Sequence, residues 1–255
     1  MSRMLLILSI LALAACQANP PSAEALLAQT SKAVADTARP EADRGLDPMR
    51  KPAEVLAFFE IKPGMQVLDV FAGGGYYTEI LSHLVGPGGS VTLYNNNPWD
   101  NFVNKQVGER LAGNRLPNVT QLTAPPAALA TLEDRYDAAI FILGMHDIYY
   151  EDPANSWPAI DVPAFLGDIA ALVKPGGVLG IIDHNAAAGT DPALVGKSIH
   201  RIDPAVIIRD VQAAGFALEA SSDLLRNPDD DLTGLVFSEA LRWKSDRSVL
   251  RFRKL

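Results

Sequence analysis

Two hydrophobic periods alternate along the chain. Short unbroken apolar runs read as buried strands, and stretches with apolar positions three and four apart read as helices. Pro52 opens a helix that carries Val55, Leu56, Phe58 and Phe59, and Pro63-Gly64 turns the chain. The pattern then predicts a strand over 66–71, a helix over 76–85 with Tyr77, Ile80, Leu81 and Leu84 on one face, and a strand over 90–94. A helix runs from Pro98 toward Leu111, a weaker strand covers 119–122, and a short helix covers 127–132.

The second half repeats the alternation. A strand is expected over 137–143 and a helix over 163–173, with Phe165, Leu166, Ile169 and Val173 on one side. Pro175-Gly176-Gly177 turns into a strand over 178–183. Asp203 caps a helix begun by Pro204 that closes at Gly215. Strands over 216–222 and 248–253 finish the chain, and the arginines of the last place it near a sheet edge. Continuous apolar strands separated by helices imply an α/β fold, a parallel sheet covered on both faces. Ligands of such sheets bind beyond the carboxyl ends of the strands, here 71–75, 95–97, 144–147 and 183–185.

Composition narrows this further. The chain has 255 residues, 48% hydrophobic and 20% charged, which suits one large globular domain with or without a short appendage. Its net charge of −8 argues against nonspecific nucleic-acid binding. The single cysteine, Cys16, excludes an internal disulfide and a cysteine zinc site. Arg3 precedes an apolar run that ends in Leu13-Ala14-Ala15-Cys16. This run resembles a bacterial lipobox, which implies a signal peptide over 1–15 and a lipid on Cys16. The expected organisation is then a lipidated tether over 16–38, helical in part from Ala23, and a domain over 39–255. Gln17 in place of an aspartate implies, by the same resemblance, a membrane anchor on the periplasmic face of the outer membrane. An uncleaved anchor is the plain alternative.

The strongest chemical signal is Asp69-Val70-Phe71-Ala72-Gly73-Gly74-Gly75, which runs from a strand directly into a helix. Glycines there permit positive φ and close approach of a ligand to backbone. A dinucleotide fingerprint needs a further glycine where Thr78 stands, and Asp69 would repel a pyrophosphate. Asp69 suits a cationic or hydroxyl-rich ligand.

This run resembles motif I of class I S-adenosylmethionine-dependent methyltransferases. Asp69, Gly73 and Gly75 match its acid and alternate glycines, and Phe71 replaces the usual first glycine. The resemblance continues through Leu172-Val173-Lys174-Pro175-Gly176-Gly177 and Ala214-Gly215-Phe216 and covers roughly 40–255. More narrowly, Tyr76-Tyr77-Thr78-Glu79, Ile182-Asp183-His184, His200-Arg201-Ile202-Asp203 and Asp223 to Pro228 are similar to segments of a bacterial group of predicted methyltransferases. The resemblance implies a Rossmann-like, doubly wound, mostly parallel seven-stranded sheet with an antiparallel C-terminal strand. It implies S-adenosylmethionine as cofactor, held by Asp69, Gly73, Gly74, Gly75 and Asn95. Asn95 stands where the family carries a ribose-binding acid, and Thr123-Ala124-Pro125 offers no acid for adenine.

Methyl transfer from a sulfonium asks the protein to position a small-molecule acceptor and take its proton. His146 is the candidate base, oriented by Asp183 or Asp147, with His184 alongside; these groups otherwise simply cap strand ends. No bound metal is expected, although this set would suit a transition metal better than magnesium. Tyr149, Tyr150 and Trp157 either stack on an acceptor or pack the core. Arg39, Asp43, Asp47 and Arg50 form a solvated surface or fold over the crevice. Arg226 is a candidate anion binder, with His200 and Arg201 in a nearby loop, and the basic C-terminus is expected to pair with acids. The competing reading is a ligand-binding or scaffold lipoprotein on a methyltransferase fold.

Overall fold

The computed structural model describes residues 22–255 apart from 104 and 134. Cys16, the signal peptide and the first part of the expected tether lie outside the described residues. No described helix is long and apolar enough to cross a membrane.

Seven strands form one sheet: β1 (Gln66–Val70), β2 (Ser90–Asn95), β3 (Val119–Thr123), β4 (Tyr136–Ile142), β5 (Val173–His184), β6 (Phe216–Ser222) and β7 (Arg247–Lys254). Their spatial order is β3-β2-β1-β4-β5-β7-β6. The first five are mutually parallel, and β7 inserts antiparallel to both β5 and β6. The order reverses between β1 and β4, which is where a doubly wound sheet opens its crevice. Side chains of β1 alternate between two cores. Val67 joins Ile80, Leu81 and Ile140 on one face, while Leu68 and Val70 join Phe141, Phe165 and Ile181 on the other. Burial on both faces is why the parallel strands read as unbroken apolar runs.

The helices are α1 (Ala23–Val34), α2 (Glu41–Arg44), α3 (Asp47–Arg50), α4 (Pro52–Phe58), α5 (Tyr76–Val85), α6 (Asn97–Val103), α7 (Gln106–Leu111), α8 (Val162–Leu172), α9 (Pro192–Ile199) and α10 (Pro204–Ala213). Three expectations change. The stretch read as tether is, from Ala23, a docked helix: Leu26, Thr30 and Ala33 are buried, and Thr30 Oγ1 donates to the Ala53 carbonyl at 2.8 Å. The helix expected over 98–111 is two, whose Val103 and Val107 both pack on Leu93. The last strand lies near the sheet edge, as expected, one place in from it. Its Arg251 and Arg253 are neutralised across the sheet by Glu219 and Glu60, which explains basic residues in an interior strand. Helix α9 was not foreseen, although Asp191-Pro192 opens it as Asp203-Pro204 opens α10; in both, the aspartate accepts backbone N–H groups of the first turn.

Candidate functional site

The loop leaving β1 is a run of left-handed residues. Phe71 has φ 49°, Gly73 60° and Gly75 83°. Phe71 therefore holds a left-handed conformation that glycine takes more easily, at a strain of roughly 1–2 kcal/mol. Its ring offsets that strain in an aromatic cluster, stacked on Phe165 at 5.5 Å and edge-on to Phe141 at 5.4 Å. Gly75 cannot be replaced: its φ is positive, and a Cβ would lie 2.9 Å from Arg110 Cδ. Helix α7 braces the loop, where Arg110 Nε donates to the Gly74 carbonyl at 2.5 Å.

Asn95, fully buried at the end of β2, closes on the same loop. Its Oδ1 accepts from Gly73 N–H and its Nδ2 donates to Gly73 C=O, both at 3.0 Å. Each amide function makes one bond to this backbone. Asp69 is 2% exposed and accepts from Thr78 Oγ1 at 2.6 Å. Burial pushes its carboxyl up to about 7, against the pull of Thr78 and Arg110.

A cleft of about 1070 Å³ runs from this loop to the ends of β4 and β5. One wall comes from the N-terminal charged stretch, so that stretch folds over the crevice. Arg39 forks onto Asp47 with two bonds of 2.8 Å, and Tyr76 donates to Asp47 at 2.5 Å. Arg50 is different. Its guanidinium lies between the rings of Tyr76 (4.3 Å) and Trp243 (4.6 Å), and its buried Nε has no hydrogen-bond partner. Beneath this wall Glu79 binds Arg110 and Arg115, and against the pull of burial His83, Arg115 and Arg110 together hold its carboxyl down at about 2.

The other end of the cleft carries the histidines. Asp183 closes β5 and turns under His146: its Oδ1 meets His146 Nδ1 at 2.8 Å and its Oδ2 accepts the His146 backbone N–H at 2.9 Å. The opposite ring nitrogen, Nε2, lies 3.2 Å from His200 Nδ1 and 3.4 Å from Asp147 Oδ1. Tyr150 fixes Asp147 by donating to Oδ1 at 2.7 Å, and its ring stacks on Trp157. Burial opposes a charge on His146, but Asp147 and Asp183 outweigh it and raise its pKa to about 9. The ionised His146 in turn holds Asp183 below the usual carboxylate range, while burial lifts Asp147 above it. Burial and His146 push His200 down to about 4.

The sequence-derived set is therefore divided by the structure. His146, Asp147 and Asp183 form one cluster, whereas His184 turns away to Ser245 Oγ at 2.6 Å and burial lowers its pKa to about 3. Tyr149 is tied to Asp210, Arg201 is fully buried in a fork onto Asp230, and Arg226 binds Asp246. These three serve the framework. His200 completes the cluster in their place. It sits at the C-terminal cap of α9 with φ 54°, and the unforeseen helix explains why its partnership was not read from sequence. His146, Asp147 and His200 each aim one ligand-type atom into a region less than 4.8 Å across.

Comparison with known proteins places this geometry. The family model for protein-L-isoaspartate(D-aspartate) O-methyltransferase matches residues 47–97, the segment that holds Arg50, Asp69 and the glycine loop. The ubiquinone/menaquinone biosynthesis C-methyltransferase UbiE of Shewanella sediminis is 30% identical over 124 residues, 48% of this chain and 43% of that protein. The chain thus spans less than half the length of the curated relatives it matches. Among solved structures, a SAM-dependent methyltransferase from Aquifex aeolicus is similar at TM-score 0.56 and 18% identity, over 90% of this chain and 98% of that one. An O-methyltransferase family protein from Burkholderia thailandensis is similar at TM-score 0.52 and 18% identity, over 89% of this chain and 62% of that one. The cyclase SpnF is similar at TM-score 0.54 and 16% identity, over 84% and 80%. The fold is that of the class I methyltransferases, and it is shared with a protein described by a different reaction.

Proposed function

We propose that this chain is an S-adenosylmethionine-dependent methyltransferase acting on a small molecule. The carrying observation is the pair of opposite charges on the donor side of one cleft. Asp69 suits the donor's ammonium and sulfonium end, and the unpaired Arg50 suits its carboxylate. The glycine loop between them admits close approach of a ligand to backbone. Trp99 lines the same half of the cleft with a buried, unpartnered Nε1, a donor available to a nucleoside. The match of residues 47–97 to a methyltransferase family and the UbiE relatives support this assignment.

The acceptor lies toward His146, Asp147 and His200, between the stacked pair Tyr150–Trp157 and Phe237. Methyl transfer forms a bond from the acceptor to the methyl carbon and breaks the sulfonium bond, and the acceptor's proton leaves into the histidine–carboxylate cluster. That arrangement favours a hydroxyl acceptor and O-methylation, with His146 as the base in its deprotonated form, which gains ground as pH rises toward about 9. Titration of the full chain with donor and with its demethylated product, read as a thermal shift, tests the assignment. Stabilisation by both supports it; a folded chain indifferent to millimolar donor refutes it and leaves a binding or scaffold protein. The envelope location is a separate proposal carried by Arg3 to Cys16, and accumulation of precursor under globomycin, abolished in Cys16→Ser, checks it.

A further inference from the structure

We propose that His146 Nε2, Asp147 Oδ1 and His200 Nδ1 form a three-ligand site for a divalent transition-metal ion of the zinc class, open to the cleft through its remaining position. The inference rests on the methyl-transfer reading only for what the ion would do; the site itself stands on geometry.

The first support is distance. The three atoms are separated by 3.2, 3.4 and 3.9 Å. Ligands bound at zinc's usual length to nitrogen and oxygen lie about 3.3 Å apart on a tetrahedral face. A magnesium octahedron would bring adjacent ligands to about 3.0 Å and would call for oxygens in place of two imidazoles. Two of the three spacings match the tetrahedral face, and the longest involves the most exposed side chain, His200 at 28%.

The second support is the shell behind the ligands. Asp183 takes the His146 backbone N–H with Oδ2 and meets Nδ1 with Oδ1 at 2.8 Å, so Nδ1 is committed to that carboxylate and Nε2 is the nitrogen left to face Asp147 and His200. A carboxylate behind the distal nitrogen of a histidine is the arrangement that fixes a metal-binding imidazole. Tyr150 does the same for Asp147 with its 2.7 Å bond. Two imidazoles and one carboxylate around an open position form a donor set used by zinc and by non-haem iron.

The third support is placement. All three ligands line the cleft, so an oxygen of the acceptor can reach the open position. A metal there takes the place that a proton holds on His146 Nε2. It would lower the pKa of a coordinated hydroxyl as it does for bound water, and His146 would then serve as ligand in place of base. The sequence reading grouped Asp183 and His184 with His146 and Asp147 and expected no metal. The structure commits His184 to Ser245, sets Asp183 behind the His146 ring and brings His200 in.

The test uses the untagged full chain, stripped with chelator and titrated with Co(II), then Zn(II). The proposal expects one ion per chain by elemental analysis, visible Co(II) bands, and their loss on zinc addition. His200→Ala, chosen because this side chain is partly exposed, should weaken binding at least tenfold, and Asp147→Asn should do the same. His83→Gln, on the helix away from the cluster, should change nothing. Donor binding by calorimetry is measured on the same preparations. No stoichiometric ion, or an affinity unchanged in His200→Ala, overturns the metal site even where the donor binds. Ion binding lost in His200→Ala supports it even where the donor does not, and then the methyl-transfer reading is what fails.

Discussion

The two ends of the cleft are built on opposite principles. At the donor end the polar groups are mostly closed on one another: Asn95 on Gly73, Thr78 on Asp69, Arg110 on Gly74 and Glu79. At the histidine end they converge from residues 146, 147 and 200, with 183 behind, and the first three leave bonding capacity facing the cleft. The first arrangement makes a rigid cradle, in which the backbone is the binding surface. The second makes a reactive centre, in which side chains keep valences free. Removing a group should therefore act on stability at the first end through the loop, and at the second through uncompensated charge.

The sharpest contrast comes from Asp183→Ala. It takes one of two carboxylates from a buried imidazolium and orphans the His146 backbone N–H, so unfolding in denaturant should show a loss of about 3 kcal/mol. Next is Asn95→Asp. If Asn95 served as a ribose ligand, restoring the acid of the family pattern would tighten donor binding. Because Nδ2 donates to the Gly73 carbonyl, the change instead sets two acceptors against each other. It should cost about 1–3 kcal/mol of stability and weaken the donor.

Asp69→Asn separates the two effects in one residue. Burial raises its pKa in the folded chain above the unfolded value of 3.8, to about 7. The unfolded chain loses that proton first, so this group's contribution to stability falls as pH rises from about 4 to about 7. At pH 8 the amide should raise the melting temperature while weakening the donor roughly tenfold, or about 1.4 kcal/mol. For the wild type, a cationic donor favours the ionised carboxylate, so donor affinity should climb between pH 6 and pH 8 and then level. The smallest effect belongs to Arg50→Gln, which should weaken donor binding by about 1 kcal/mol and leave the fold intact, since Arg50 makes no ion pair among the described residues.

The same contrast explains what could be read from sequence. The donor end is local: Asp69 to Thr78 is one strand–turn–helix segment, and its glycines announce a backbone that must pass through positive φ. Even Phe71, which breaks the glycine pattern, keeps the required conformation because aromatic packing holds it there. What local spacing could not give was the use of Asn95, since an amide at a strand end fits a ligand or a loop equally well. The histidine end is non-local. His146 and Asp183 were foreseen as neighbours because strands β4 and β5 are parallel partners, with Ile142 opposite Ile182. His200 needed α9, and the commitment of His184 needed Ser245, sixty-one residues away in the chain. Arg50 was ambiguous for the same reason: only Tyr76 and Trp243 from either side make a cleft wall of it.

The central claim is that the Asp69 end of the cleft holds a cationic sulfonium donor. Isothermal calorimetry of donor into the full chain at pH 6 and pH 8, wild type beside Asp69→Asn, tests it most directly. The account predicts one donor per chain, tighter at pH 8 in the wild type and weaker with little pH dependence in the variant. A folded wild type that releases no heat at millimolar donor, or an Asp69→Asn variant that binds as tightly at pH 8, would contradict it.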